Sequence, residues 1–253
     1  VWLKPRNQVW SHKIYDSVRG TTRSLEMDGS GAQSGATDGL SSFNPGGFTV
    51  NDQYNGSDTA NNYIAWCWKA GNGTVENTDG DIASTVSVNQ HAGFSIVKYK
   101  ATNTQDASVG TGLSKPAEFA IIKTLDSSNS WLTYHVSMGF GKTIFMDTYG
   151  GIATTDYFGD TDWTSASPSI FRTDTGNSNI GSENYIAYCW HGVEGFSKFG
   201  SYKGNSNADG PFVYLGFKPA MIIIKSTSAG SPYPWSIWNN KSNPHNPVLE
   251  IFE

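Results

Sequence analysis

The string NYIAWCW occupies residues 62–68 and the string NYIAYCW occupies residues 184–190, so that six of seven positions agree 122 residues apart. Both strings are rich in aromatic and β-branched residues, and neither has a helix-capping pattern nearby. This composition favours β-strands over helices. The recurrence of so unusual a string predicts that the chain repeats one structural unit.

A second element recurs three times and consists of an apolar run ending in lysine, a polar turn, a tryptophan and a further aromatic residue. It reads VWLKPRNQVWSHKIYD from residue 1, AIIKTLDSSNSWLTYH from residue 120 and IIIKSTSAGSPYPWSIWN from residue 222. We interpret it as the start of each repeat. The residues aligned in this way are Lys4, Lys123 and Lys225, then Trp10, Trp131 and Trp235, then Tyr15, Tyr134 and Trp238.

These markers divide the chain into three units. Residues 1–119 are predicted to form a first β-sandwich repeat and residues 120–221 a second, while residues 222–253 begin a truncated third repeat or complete the second. The first unit is longer because of a polar segment at about residues 70–91, which is predicted to be an inserted loop or hairpin. Since the chain opens with VWLKPR and stops at VLEIFE, both typical of strand interiors, we expect a fragment of a longer protein.

The remaining patterns also favour strands. GFSIVKYK alternates apolar and polar residues, whereas FAIIK and AMIIIK are continuous apolar runs typical of strands that are covered on both faces. Turn signals such as NPGG and NADG separate these runs, and no stretch of 11 residues shows helical periodicity. The sequence therefore predicts an all-β fold of tandem antiparallel β-sandwich units, jelly-roll or lectin-like in type. The sequence also allows an arrangement in which strands of the next unit complete a sandwich.

The composition narrows the class of protein. Charged residues make up 15 % of the chain, well below the roughly 25 % usual in soluble domains, and aromatic residues reach 13 %. The net charge of −5, without any run of five basic residues, argues against nucleic-acid binding. No apolar stretch approaches 18 residues, which argues against a membrane span. The profile is typical of a turn-rich, extracellular β protein.

The two cysteines, Cys67 and Cys189, occupy the same position of the repeated string. We predict that both are free thiols buried inside a strand. The alternation of a strand places Cys67 on one face and Trp66 and Trp68 on the other, and we expect the cysteine face to lie inside the sandwich.

The segments YIAWCWKAG, AGFSIVKY, SVRG and EGFSKFGSYKGN, the last continuing to ADGPFVYLGFKPA, resemble a repeated domain of unknown function in structural proteins of tailed phages, in particular marine, cyanophage-like ones. The resemblance covers nearly the whole chain. It implies a virion component, such as a tail fibre, a capsid-associated fibre or an adhesin, located on the virion or outside the cell. It implies no catalytic residues.

Candidate sites are few. The five histidines show no metal-ligand spacing, and neither a cofactor nor a catalytic residue is predicted. Oxygen-rich loops containing Asp160, Asp162 and Asp209 have ligands suited to Ca²⁺, although Asp and Asn in such loops usually form turn hydrogen bonds. Trp163, in the segment DTDWTSASP, is the best candidate for an exposed aromatic that stacks on a sugar. These four residues form the predicted ligand site.

Three hypotheses about function follow. The leading one is a non-enzymatic structural and adhesive module of a phage virion, whose partners are other copies of itself, other virion proteins or a host-surface glycan. The alternative is a lectin-type carbohydrate-binding domain. A glycan-cleaving enzyme ranks third, because it needs two carboxylates beside a sugar cleft and none of the glutamates recurs between the units.

Overall fold

The computed structural model describes residues 1–35, 37, 39–55, 61–159, 169–228, 233–241 and 249–250. Within these residues the chain is almost entirely strand and turn, because the only helical pieces are α1 (Asp52–Asn55) and a 3-10 turn at Val136–Met138. No helix in this part of the chain is long and apolar enough to cross a membrane. The prediction of an all-β fold is confirmed.

The strands follow one another along the chain with short connections. In the first half they are β1 (Trp2–Pro5), β2 (Lys13–Asp16), β3 (Gly20–Glu26), β4 (Ser34–Gly35), β5 (Leu40–Asn44), β6 (Gly47–Val50), β7 (Tyr63–Trp66), β8 (Val75–Asn77), β9 (Ser84–Asn89), β10 (Phe94–Lys100) and β11 (Ser108–Gly110). In the second half they are β12 (Phe119–Thr124), β13 (Leu132–His135), β14 (Lys142–Phe145), β15 (Ala153–Thr154), β16 (Ile170–Arg172), β17 (Asn184–Trp190), β18 (Met221–Ile224), β19 (Ser236–Asn239) and β20 (Leu249–Glu250).

Five sheets are formed by the described strands, and all named strand pairs are antiparallel. The first sheet has the order β4-β3-β2-β1-β7, and the second has the order β15-β14-β13-β12-β17-β10-β9-β8. A third sheet has the order β18-β19-β20, and β11-β16 and β5-β6 form two-stranded sheets. The eight-stranded sheet therefore joins strands from both sides of the predicted unit boundary at residue 119.

The predicted insertion at residues 70–91 contains a hairpin. β8 pairs with β9, and β9 continues the eight-stranded sheet by pairing with β10. The polar character of the segment fits this place, because β8 is the last strand of the sheet and two of its three residues are exposed.

The first two sheets share one pairing pattern. Trp2 in β1 lies opposite Trp66 on one side and Ile14 on the other. In the second sheet Ile121 of β12 lies in the same way between Tyr188 and Thr133. The strand that contains the marker lysine is thus paired with the next strand on one side and with the repeated NYIA string on the other.

The marker lysines hold the turns that follow their strands. Lys4 donates to the carbonyl of Trp10 at 2.7 Å, and Lys123 donates to the carbonyl of Ser127 in its own turn at 3.5 Å and to that of Ser30, in the turn after β3, at 3.0 Å. Lys225 donates to the carbonyls of Tyr149 and Tyr233. Burial lowers the pKa of Lys123 to about 8. An ammonium group in such a place must be hydrogen-bonded, which explains why the turns close over it.

The alignment of Trp10 with Trp131 is wrong. The carbonyl of Trp131 accepts from the amide of Met146 at 3.0 Å, and the carbonyl of His12 accepts from the amide of Met27 at the same distance. His12 and Trp131 each lie eight positions after their marker lysine, so the turns have equal length and His12 is the counterpart. Trp10 lies two positions earlier, in the turn, where 45 % of its surface is exposed.

Apolar side chains form two large cores, one on each face of the eight-stranded sheet. The first core lies between this sheet, the five-stranded sheet and the three-stranded sheet. The first core combines Trp2 and Ile14 with Trp131, Tyr188 and Trp235, and so includes residues of all three predicted units. The second core lies on the other face of β10, β12 and β17. β12 is buried along its whole length because its residues alternate between these two cores, as the continuous apolar run predicted.

The prediction of a strand that is covered on both faces is wrong for β18. Ile222 in this strand is 41 % exposed, and the other three residues are only partly buried. In the described part of the chain, β18 pairs with β19 alone, whereas β12 lies between β13 and β17. The strand is therefore apolar but incompletely covered.

Candidate assembly interface

The repeated NYIA string occupies two different environments. As β17 it lies in the middle of the eight-stranded sheet, between β12 and β10. Tyr185, Ala187 and Cys189, which alternate along one face of β17, are all 0 % exposed. The other face contributes Ile186 and Tyr188 to the first core. Both faces and both edges of this strand are covered.

As β7 the string lies at the end of its sheet. Within the described residues β7 pairs with β1 and with no other strand. Trp66 packs into the first core, but Ala65 and Cys67 on the opposite face are exposed. The prediction that Cys67 is buried is therefore wrong, and the prediction for Cys189 is confirmed. The difference comes from long-range pairing, because none of the described strands takes the place beside β7 that β10 takes beside β17.

β10 is the strand that covers β17. Its register places Ser95 opposite Cys189 and Val97 opposite Ala187. The chain then continues into β11, which pairs with β16. The segment from β10 to β11 therefore closes the second core, in which Val97 and Val109 are 0 % exposed. Strands of the first predicted unit complete the core of the second.

The segment that follows β17 repeats the start of β10 but is not a strand. Its GFS string, residues 195–197, matches the GFS string at residues 93–95. Phe196 is 63 % exposed, whereas its counterpart Phe94 is 4 % exposed. Further along the segment the exposed fractions are 53 % for Tyr202, 89 % for Phe212 and 72 % for Tyr214. Exposed apolar side chains concentrated in this way mark an interaction surface.

A buried ion pair connects the first sheet to β17. Arg19 Nε lies 2.5 Å from Asp16 Oδ2, and the two side chains are 1 % and 2 % exposed. The hydroxyl of Tyr188 donates to the same carboxylate oxygen at 2.7 Å. Burial by itself raises the pKa of Asp16, but the charge of Arg19 and the hydrogen bonds from Tyr188 and Arg19 outweigh it and lower the pKa. This cluster fixes how the two sheets meet.

Of the four residues of the predicted ligand site, the structure describes only Asp209. Asp209 lies in an exposed turn, where its amide donates to Asn207 Oδ1 at 3.1 Å and its carbonyl accepts from Asn205 Nδ2 at 2.8 Å. These are turn hydrogen bonds of the kind that Asn and Asp form with neighbouring backbone. Asp160, Asp162 and Trp163 lie outside the described residues. In the part of the chain that is described, no three His, Cys, Asp or Glu side chains are grouped as metal ligands.

A groove that the sequence analysis missed lies beside Trp10. Its volume is about 320 Å³, and it is lined by Pro5, Val9, Trp10, Ser11, Lys13, Glu26 and Tyr54. Lys13 Nζ and Glu26 Oε1 are 2.5 Å apart at its edge. One sequence feature indicated this groove. Trp10 follows its marker lysine two positions sooner than Trp131 does, which places Trp10 in a turn rather than in the core.

The different environments of the two cysteines lead to a prediction. At mildly alkaline pH, Ellman's reagent should react with one thiol per folded chain, and with two after denaturation. Burial raises the pKa of both thiols, to a still higher value for Cys189, so thiolate formation also favours Cys67. The variant Cys67→Ser should lose the fast reaction and Cys189→Ser should retain it. Equal rates at both cysteines in the folded wild-type chain would contradict the open edge of β7.

These features define an all-β protein of antiparallel sheets, in which the β7 edge of the first sheet is left open and an exposed aromatic segment follows β17. A family model described as a domain of unknown function, DUF7483, matches residues 1–252, and the chain therefore belongs to this family. No curated protein matches the chain. No solved structure matches it.

Proposed function

We propose that this chain is a non-enzymatic structural and adhesive module of a phage virion, built from tandem antiparallel β-sandwich units of jelly-roll or lectin-like type. It belongs to a fibre or to another surface component of the particle, outside the cell. Its partners are other copies of itself, other virion proteins and a host-surface glycan. The proposal assigns no cofactor and no catalytic residue.

The observation that carries this proposal is the sharing of strands between successive units. β10 and β11, from the first predicted unit, cover β17 and β16, from the second. Successive units that complete each other's cores can be added in series, and each new unit then covers edges that would otherwise be exposed. This arrangement suits an extended particle component. The resemblance of the repeated segments to phage structural proteins supports the same class.

Peptide mass spectrometry on density-gradient-purified phage particles that encode the chain tests the proposal. Peptides of this protein should co-sediment with the particles in a constant ratio to the major capsid protein. Their presence only in the soluble fraction of the lysate would contradict a virion role.

A lectin-type function is the second candidate, and the groove beside Trp10 favours it. An indole that is 45 % exposed, next to the carboxylate of Glu26 and the ammonium of Lys13, offers a flat apolar face and hydrogen-bonding groups to a sugar ring. In this case a glycan array should show selective binding by the wild-type chain. Trp10→Ala should abolish that binding, while Tyr149→Ala, at a residue of similar exposure (46 %) that does not line the groove, should retain it. Equal binding by both variants would remove the groove from consideration.

A further inference from the structure

We propose that residues 195–203 of one molecule add as a strand to the open edge of β7 in a second copy, as β10 adds to β17 within the chain. Copies are thereby joined head to tail. The inference rests on the proposed function, because it specifies how a structural module of this kind assembles. We call residues 195–203 the donor and the open edge of β7 the acceptor. Each of them, and the register between them, has an internal counterpart in the same molecule.

The acceptor is established by the comparison of β7 with β17. The two strands share the residues YIA, and each pairs with a strand that contains a marker lysine, β1 or β12. Ala187 and Cys189 are 0 % exposed under β10, whereas Ala65 and Cys67 are exposed. The small cluster of Leu3, Tyr15, Leu40 and Tyr54 behind β7 occupies the place of the second core, and none of the described strands lies beside β7 as β10 lies beside β17. The described strands therefore leave open the place that β10 takes in the second sheet.

The donor is established by the GFS string. Gly93, which starts the turn into β10, has a φ of 59°, and Gly195 has a φ of 74°. Both glycines therefore adopt the left-handed conformation that other residues disfavour. Phe94 then stacks on Trp190 with ring centroids 4.9 Å apart. Phe196, its counterpart, is 63 % exposed.

The register follows from the internal pair. Ser95 lies opposite Cys189, and Phe94 lies opposite Trp190. Replacing each residue by its counterpart places Ser197 opposite Cys67 and Phe196 opposite Trp68. The donor has one more residue than β10 between this point and its tyrosine, since Phe94 and Tyr99 are five positions apart and Phe196 and Tyr202 are six apart. A β-bulge at Gly200 accommodates the additional residue.

The donor is held only lightly in the isolated chain. Its first turn is closed by a pair of backbone hydrogen bonds between Val193 and Ser197, at 2.8 and 3.1 Å. Phe199 stacks on Phe119 with ring centroids 5.7 Å apart, and Lys198 lies over the ring of Tyr214 at 5.6 Å. Strand addition must open this turn, but it provides new backbone hydrogen bonds along the edge of β7 and covers exposed aromatic rings.

Donor and acceptor are different segments of the chain, so the contact is heterologous. Each molecule that gives its donor strand to one neighbour leaves its own β7 edge open for another. Such a contact continues as an open filament unless the rotation between copies closes a ring.

Disulfide trapping tests the register. The variant Ser197→Cys places a new thiol opposite the native Cys67 of the neighbouring copy. Directly opposed residues in antiparallel strands have Cα atoms about 4.5–5.5 Å apart, within the range of about 4.4–6.8 Å that a disulfide spans. Oxidation should convert the variant into a ladder of cross-linked dimers and longer oligomers on a non-reducing gel, and reduction should return it to the monomer.

Three controls accompany this variant. Ser197→Cys with Cys67→Ser should lose the ladder. Ser201→Cys, four residues further along the donor, should not form it, because the thiol then lies too far from Cys67. Ser95→Cys with Cys67→Ser should form a disulfide with Cys189 within one chain, which verifies that this register permits the bond.

Light scattering on the same samples distinguishes a failure of the proposed strand addition from a failure of the proposed structural function. A ladder that depends on both Cys67 and the cysteine at position 197 establishes the strand addition. Oligomers in solution without this ladder would overturn the proposed contact and leave the structural function in place. A chain that remains monomeric and forms no ladder would overturn the contact and the self-association in the proposed function together.

Discussion

The substitution Asp16→Asn is expected to lower the free energy of unfolding by about 3–5 kcal/mol, the usual cost of removing one partner from a buried ion pair. Arg19 lies against this carboxylate, and both side chains are nearly inaccessible to solvent. The amide keeps the size of the side chain but leaves the guanidinium charge uncompensated. Since Tyr188 Oη donates to the same carboxylate, the contact between the first sheet and β17 weakens as well. Equilibrium urea unfolding followed by tryptophan fluorescence measures the loss.

A matched control is the exposed ion pair in the same sheet. Lys13 and Glu26 also lie 2.5 Å apart, but their side chains are 19 % and 45 % exposed. Glu26→Gln is therefore expected to cost about 0–1 kcal/mol. Equal losses in Asp16→Asn and Glu26→Gln would contradict the importance of the buried cluster.

The same cluster has a pH dependence with a definite sign. The pKa of Asp16 in the folded chain lies below its ordinary value of 3.8, because Arg19 and Tyr188 outweigh the effect of burial. The unfolded chain therefore binds the proton more readily. The stabilisation by Asp16 is fully present above the unfolded pKa and is lost as the pH falls through the folded pKa. The stability difference between wild type and Asp16→Asn should accordingly shrink at the acid end of a pH series.

The second large effect is expected for Trp131→Ala, at about 3–5 kcal/mol, as for other large aromatic side chains removed from a core. Trp131 is 0 % exposed and lies in the core shared by the sheets. Its indole nitrogen donates to the carbonyl of Glu26 at 2.7 Å, so the substitution also removes a hydrogen bond between the first and second sheets. Urea unfolding measures this loss, and far-ultraviolet circular dichroism verifies that the variant still folds.

Trp10→Ala is the control for this prediction because it makes the same chemical change in a turn, where the side chain is 45 % exposed. It should change stability by less than about 0.5 kcal/mol, as is usual for surface substitutions. A loss as large as that of Trp131→Ala would contradict the assignment of His12, rather than Trp10, as the counterpart of Trp131.

Local patterns predicted the strands but not their neighbours. The NYIA strings and the GFSIVKYK and FAIIK runs are all strands, because side-chain alternation and β propensity act within a few residues. The environment of a strand depends on which distant strand pairs with it. Cys67 and Cys189 have almost identical local sequences, but Cys189 lies in the second core and opposite Ser95 of β10, whereas none of the described strands takes that place beside Cys67. No pattern within the string distinguishes them.

The candidate interface was predictable only in part. The leading hypothesis from the sequence included self-association, but the predicted ligand site lies in the loops at Asp160, Asp162, Trp163 and Asp209. The GFS strings at residues 93–95 and 195–197 look alike as sequence. That one begins a buried strand and the other begins an exposed segment is a consequence of long-range pairing, since the partner strand of the first is β17.

Assembly through the β7 edge is tested most directly by the mass of the unmodified chain, measured by light scattering over concentrations from micromolar to millimolar. We expect a mass that rises with concentration in multiples of 27.4 kDa, because each added copy covers the β7 edge of one molecule and leaves its own β7 edge open. A mass that stays at 27.4 kDa over the whole range would contradict assembly through this edge.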